Sequence, residues 1–392
     1  MKHCIKRYLL LPIFCMILIC LTGCWDNRDI TELSVVSAVG IDKTDDDQIE
    51  VTIQIIKIGT VKAKEQGSSD EAYWSISKTG NTIFEALRNI LTTVDRKPFY
   101  TYNELIVIGE DIAKEGIMEV LDFFERDHEN RRQALVLIAK GLSAKEVLNA
   151  KTELSTIPSL HLLEVIRNSQ ASTKIIEVEL FDLLRDVCHP GKNAVVGIIE
   201  KIDNEKEELK IKNLRVAGGA VFTKDKLQAW LKPKDTIGYL IITNELKNGI
   251  INIPDPTDEN KLVSVELKRV KNKIEVKFKD NKPTFLLEIK AAGNIGEQQS
   301  TSDLTTKEMV KKLDKEIEKL IEDELKKIIK LAQEELENDI FGLGAIVHMK
   351  NLNYWKKVEN DWDSVFSETQ IEIKVDAKLK APGTVKKALE PK

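Results

Sequence analysis

The stretch TTKEMVKKLDKEIEKLIEDELKKIIKLAQEELENDI, Thr305 to Ile340, places Val310, Leu313, Ile317, Ile321, Leu325, Ile328, Ala332, Leu336 and Ile340 along one line. These steps of three and four follow the helical period, and most residues between them are charged. No heptad seam is sustained, so the stripe predicts a long helix lying on a sheet rather than a coiled coil. Thr305 and Glu308 stand at capping-box spacing where it begins, and Gly342 and Gly344 are expected to stop it.

Strands flank this helix on both sides. LVSVELKRV (262–270), KIEVKFKD (273–280) and TFLLEIKAAG (284–293) are apolar and β-branched enough to pair, with a hairpin expected around Lys271 to Lys273. After the helix, TQIEIKVDAKLKAPG (369–383) alternates Ile371, Ile373, Val375, Ala377 and Leu379 on one face. The C-terminal region therefore reads as a β-β-β-α-β unit. NIPDPTDENK (252–261), with its two prolines and acidic run, is the expected boundary in front of it.

Upstream, strands and helices alternate, the pattern of helices packed on a sheet. SVVSAVGID and IEVTIQII read as two strands joined by an acidic turn. Asp45 to Asp47 lack the alternating ligands of an EF-hand loop and fit a solvated turn. Ile83, Leu87, Ile90, Leu91 and Val94 form a helical face with Asn81 as its cap. ELIVIGE is a buried strand, DIAKEGIMEVLDFFERD one amphipathic helix, QALVLIAKG a strand, and Ser143 the cap of a short helix. Helices dominate 154–186, and strands return around AVVGIIEK and LRVAGGAVF, where Gly218 and Gly219 read as a bulge rather than a phosphate loop. The fold class is α+β or α/β in successive mixed α/β domains. The expected division is a leader at 1–23, an N-terminal α/β domain at 25–141, a middle α/β domain at 142–256 able to form one unit with the first, and a C-terminal domain at 261–392.

The chain opens MKHCIKRYLLLPIFCMILICLTGC. Lys2, Lys6 and Arg7 precede an apolar run too short for a comfortable membrane span, which is the layout of an export signal. The run ends in Leu21-Thr22-Gly23-Cys24, similar to the lipobox of bacterial lipoproteins. A sulfur nucleophile suits transfer of a diacylglyceryl group as a stable thioether. Cleavage is expected between Gly23 and Cys24, leaving Cys24 with S-diacylglycerol and an acylated amine. Each buried methylene contributes about 0.8 kcal/mol, so two or three chains hold a protein on a bilayer where one does not.

Of five cysteines only Cys188 follows Cys24, which excludes an intramolecular disulfide and any cysteine-rich zinc site in the exported body. Loss of the leader moves the formal charge from −5 to −8, a balance that argues against nucleic acid as a partner. No serine-hydrolase elbow, zincin pair, P-loop or dinucleotide fingerprint is present. His128, His161, His189 and His348 stand apart, and Cys188 beside His189 points to the opposite side if extended. No enzyme activity, cofactor or metal is expected. The charged run Phe123 to Arg132 reads as a solvated, ion-paired connection more than a partner contact. Trp355 and Trp362, seven residues apart, fit packing on the C-terminal sheet better than contact with lipid headgroups.

Taken together, GCWDNRDI, VVSAVGID, GNTIFEALRNI, RKPFYTYNELIVIGEDIAKEGI and VLDFFERDHENRR, then DIFGLGAIVHMKN and YWKKVENDWDSVF, resemble in order the Ger(x)C proteins. These are the lipoprotein C subunits of bacterial spore germinant receptors. The resemblance implies successive α/β domains, lipidation at Cys24, and a place on the outer face of the spore inner membrane beside integral-membrane A and B subunits. It also implies a role in nutrient-triggered germination. The family pattern often has histidine where this chain has Tyr102, so a role resting on that histidine does not carry over. The alternatives are a substrate-binding lipoprotein, which requires two similar lobes around a cleft, and a cell-wall enzyme, which requires acids gathered in a pocket.

Overall fold

The computed structural model describes residues 33–57, 71–127, 129–151, 155–168, 172–202, 214–280 and 282–381. Two sheets organise these residues. The first has nine strands in the order β3-β2-β1-β5-β6-β7-β8-β9, with β4 against the start of β1. Its strands are β1 (Leu33–Lys43), β2 (Ile49–Ile56), β3 (Tyr73–Gly80), β4 (Lys97–Phe99), β5 (Leu105–Ile108), β6 (Leu135–Lys140), β7 (Val195–Lys201), β8 (Leu214–Thr223) and β9 (Lys226–Leu231). The central strands β1, β5, β6 and β7 run parallel, while β2-β3 and β8-β9 continue antiparallel on either side.

Parallel centres are covered on both faces, and successive side chains here feed opposite cores. Ile106, Ile108, Val136 and Ile138 face α1 (Ile83–Ile90), α2 (Glu110–Glu115), α3 (Met118–Arg126) and α6 (Leu180–Cys188). Leu105, Val107, Leu137 and Ala139 face α4 (Ala144–Leu148) and α5 (Pro158–Asn168). This two-sided burial is why ELIVIGE and QALVLIAKG are apolar throughout. Ser143 closes a capping box with Glu146 at the start of α4, and the buried Asp42 carboxylate takes the next two free N–H groups, of Ala144 at 2.8 Å and Lys145 at 2.9 Å.

The second sheet is β10 (Gly249–Asp255), β11 (Asp258–Lys279), β12 (Lys282–Gln298) and β13 (Gln370–Ala381), in that order, with β13 parallel to β12. Between β12 and β13 run α8 (Lys307–Lys330) and a π turn at Leu331–Glu335, then α9 (Leu343–Lys350), α10 (Leu352–Val358) and α11 (Trp362–Ser367). The expected β-β-β-α-β unit is present. Leu313, Ile317, Ile321, Leu325 and Ile328 of α8 are buried on the sheet together with Val263, Val265, Phe285 and Leu287. Beside α8 packs α7 (Thr236–Ile242). Along the edge strand, Leu379 N–H donates to Asp314 at 2.8 Å and Ala377 N–H to Glu318 at 3.2 Å, so α8 supplies acceptors that the edge otherwise lacks.

Several local expectations are corrected. No hairpin turns at Lys271 to Lys273: β11 runs straight through and pairs these residues with Lys290 to Glu288. The polar interruption is explained by Asn272, which is buried while its N–H donates to Asn244 Oδ1 at 2.6 Å and its Nδ2 to Ile242 O at 2.8 Å. The missing third strand is β10, and 252–261 forms its tight hairpin with β11, where Asp255 accepts from Thr257 N–H at 2.8 Å. The helix expected over 111–127 is two helices, because Gly116 takes a left-handed φ of 139° and sends Ile117 N–H to Asp225 O. Thr82, not Asn81, caps α1, and Thr306, not Thr305, caps α8, since Thr305 donates to Asp303 at 2.6 Å. The long helix ends at its π turn, ahead of Gly342, which instead opens α9 at φ 78°. The bulge expected at Gly218 is present, with φ 96° and a register shift across β7-β8.

Candidate functional site

Two features could carry function: a surface groove on the first sheet and a joint between the sheets. The groove, about 840 Å³, opens between α1 and α3. The periodicity that buries Ile83 and Leu87 beneath it turns Phe84 outward; Leu91, expected on the buried face, is instead exposed at the C-cap of α1, and Met118 opens the facing helix. These three side chains are 53%, 39% and 38% exposed. Arg88 lies over the Phe84 ring, 4.7 Å from its centroid. Carboxylates crowd the rim: Arg126 pairs with Asp122 at 2.7 Å and Lys97 with Glu129 at 2.6 Å. At the buried end sits Tyr100, whose phenol is pushed well above its usual pKa by burial and then by Asp127 and Glu129. The arrangement offers apolar contact and charge; it gathers no nucleophile beside a base.

The joint is built around Asp339, fully buried just past the π turn. Its carboxylate accepts the N–H groups of Phe341, Gly342 and Leu343 at 2.9 to 3.2 Å, that of Gly344 at 2.7 Å, and the Trp362 indole N–H at 2.8 Å. Burial pushes its pKa up to about 6, and these donors keep it from rising further. The Asp339 backbone carbonyl accepts from Asn193 N–H at 3.0 Å, Asn193 Nδ2 donates to Asp363 at 3.1 Å, and Asn193 Oδ1 accepts from Lys224. Asn338 Nδ2 donates to Phe222 O at 3.0 Å and to Gln228 at 2.7 Å. Val195, Val221 and Leu231 of the first sheet join the core of α8 and the second sheet. The two sheets therefore share one apolar core, closed by a polar clasp.

A smaller crevice of about 350 Å³ between α5, α6 and the turn after α7 carries Glu177, Glu179, Asp182 and Glu245, with Lys247 paired to Glu177 at 3.1 Å. Cys24 and the leader lie outside the described residues. Trp355 and Trp362 are buried against each other, centroids 5.5 Å apart, on separate short helices, so they pack in the joint and do not reach a headgroup layer. In the run Phe123 to Arg132, Phe124 is buried and Glu125 pairs with Arg132, the ion-paired connection expected, although Phe123, Arg126, Asp127 and Glu129 also border the groove. His128 lies outside the described residues. Tyr102 is 45% exposed on a single 3₁₀ turn, and Cys188 is exposed at the end of α6. Among the described residues no cluster of histidine, cysteine and acid suits a metal, and no helix is long and apolar enough to cross a membrane. Asp339 was not singled out from sequence; its signal is the last acid of the run Glu334 to Asp339, three residues ahead of Gly342 and five ahead of Gly344.

Comparison with known proteins agrees with this architecture. Residues 26–201 match the spore germination protein N-terminal domain, and residues 217–383 match the spore germination B3/GerAC-like C-terminal domain. The chain is similar to spore germination protein KC of Bacillus subtilis (strain 168), 27% identical over 97% of each chain. It is also similar to spore germination protein B3 of the same organism, 27% identical over 94% of this chain and 96% of that one. The crystal structure of the GerBC protein superposes with a TM-score of 0.57 at 20% identity, over 87% of this chain and 96% of the other, a likeness of fold. With both models matched in order and relatives aligned nearly end to end, this chain belongs to the Ger(x)C family of spore germination receptor proteins.

Proposed function

We infer that the chain is the lipid-anchored C subunit of a spore germinant receptor, assembling with integral-membrane A and B subunits in nutrient-triggered germination. The observation that carries this reading is the ordered match of both family domains along one chain. The geometry is in keeping with it. An open groove and a hydrogen-bonded joint suit a protein that binds a partner, and tethering raises the effective concentration so that weak contacts suffice.

Cys24 is the lipidation site in this reading, cleaved from Gly23, and the body stands on the outer surface of the spore inner membrane. The rival substrate-binding lipoprotein needs two similar lobes, whereas a nine-stranded mixed sheet and a four-stranded sheet do not repeat one another. A Cys24→Ala variant is expected to leave the spore membrane fraction and to weaken nutrient germination. Normal membrane retention and normal germination in that variant would overturn the reading.

A further inference from the structure

Resting on the receptor-subunit reading, we propose that the groove between α1 and α3 docks a basic, amphipathic segment of a membrane-embedded receptor partner. Three observations choose this occupant. The first is chemical: Phe84 and Met118 stand exposed on facing helices, with Leu91 exposed at the C-cap of α1, around a floor of buried Ile83 and Leu87. Two helices with an apolar channel between them accept the apolar face of a third segment, anchored at positions one helical turn apart.

The second concerns the tether. Strand β1 begins at Leu33, whose backbone pairs with Lys97, and Ser34 pairs with Pro98; both partners line the groove. The nine residues from Cys24 to Leu33 span at most about 30 Å when extended. A lipid on Cys24 therefore keeps this end of the first sheet within reach of a membrane protein's exposed segments.

The third is charge. Six carboxylates and three cations line the groove. Arg126 and Lys97 are already paired, while among the described residues Glu119, Asp127 and Asp225 have no ion-pair partner. An acidic rim repels anionic lipid headgroups and attracts a cationic segment. The groove is thus matched to a basic polypeptide and not to the bilayer surface.

The test uses the full lipidated chain in spore membranes. A photo-crosslinking amino acid at Phe84 is expected to capture a multi-spanning protein identified by mass spectrometry as an A or B subunit. Phe84→Glu with Met118→Glu, and separately Glu119→Lys on the exposed rim, are each expected to lower recovery of that subunit by at least about tenfold. Both variants should stay in the membrane fraction, with melting temperatures within about 4 °C of the parent. Should the double variant unfold, the crosslink and Glu119→Lys decide. Crosslinks to lipid or to a second copy only, or recovery at the parent yield in Glu119→Lys, overturn the proposal and leave the receptor reading standing. A parent chain that recovers no multi-spanning protein overturns both.

Discussion

Gly191 and Gly344 meet backbone to backbone where the two sheets join: a Cβ on Gly191 would lie 2.5 Å from the carbonyl carbon of Gly344, and one on Gly344 would lie 2.7 Å from Gly191 Cα. Ala345 N–H donates to Gly191 O at 3.0 Å across the same contact. Gly191 also has a φ of 82°, so an added side chain meets strain and collision together. Gly191→Ala is expected to cost about 3 kcal/mol in urea unfolding. Gly141, at φ 71° with open space around its Cβ, isolates the backbone term, and Gly141→Ala should cost only about 1 kcal/mol. Equal losses in the two variants would show that the close approach contributes nothing.

The Asp339 carboxylate is the common acceptor for four backbone N–H groups and one indole. Asp339→Ala strands these donors in the interior and opens a small cavity. The expected loss is about 4 kcal/mol, with weakened protease resistance of 338–345. Stability within about 1 kcal/mol of the parent would mean that the clasp is peripheral.

That carboxyl also sets a pH dependence. Its folded pKa, pushed by burial to about 6, lies above its ordinary value of 3.8, so between these values the folded chain holds more protons than the unfolded one. The stabilisation from this group is complete below the lower value and is lost as pH rises through the upper. The stability gap between parent and Asp339→Ala should therefore be wider at about pH 4.5 than at about pH 7.5. Denaturant midpoints of both chains at each pH measure it, and a gap that widens with rising pH contradicts the assignment.

Strand β13 is an edge whose Ala377 and Leu379 N–H groups are met by Glu318 and Asp314 of α8. Replacing both acids with alanine should cost about 1–2 kcal/mol and expose a pairing edge. Light scattering on mild heating is expected to rise well before global unfolding. A double variant as soluble as the parent would show that the helix carboxylates do not protect this edge.

The long helix was legible because one period governs its whole stripe from Leu313 to Ile328, and the alternation of β13 was legible for the same local reason. Where tertiary contacts override local pattern, reading failed. The Lys271 to Lys273 segment looks like a turn only until Asn272 is seen held by Asn244 and Ile242, about thirty residues away. The clasp at Asp339 depends on Trp362 and Asn193, which no spacing rule connects. The groove is a middle case. Its buried stripe was visible in Ile83, Leu87 and Ile90, but the exposed apolar residues beside that stripe mean nothing until α3 faces α1.

If the chain works as a tethered subunit of a membrane receptor, its partners should leave the membrane with it. Affinity purification of the chain, expressed with residues 1–24, from detergent-solubilised spore membranes, with the co-purifying proteins identified by mass spectrometry, tests this. Recovery of two kinds of integral-membrane protein, A and B, retained through washing, is expected. Recovery of the chain alone, or only with soluble proteins, would contradict it.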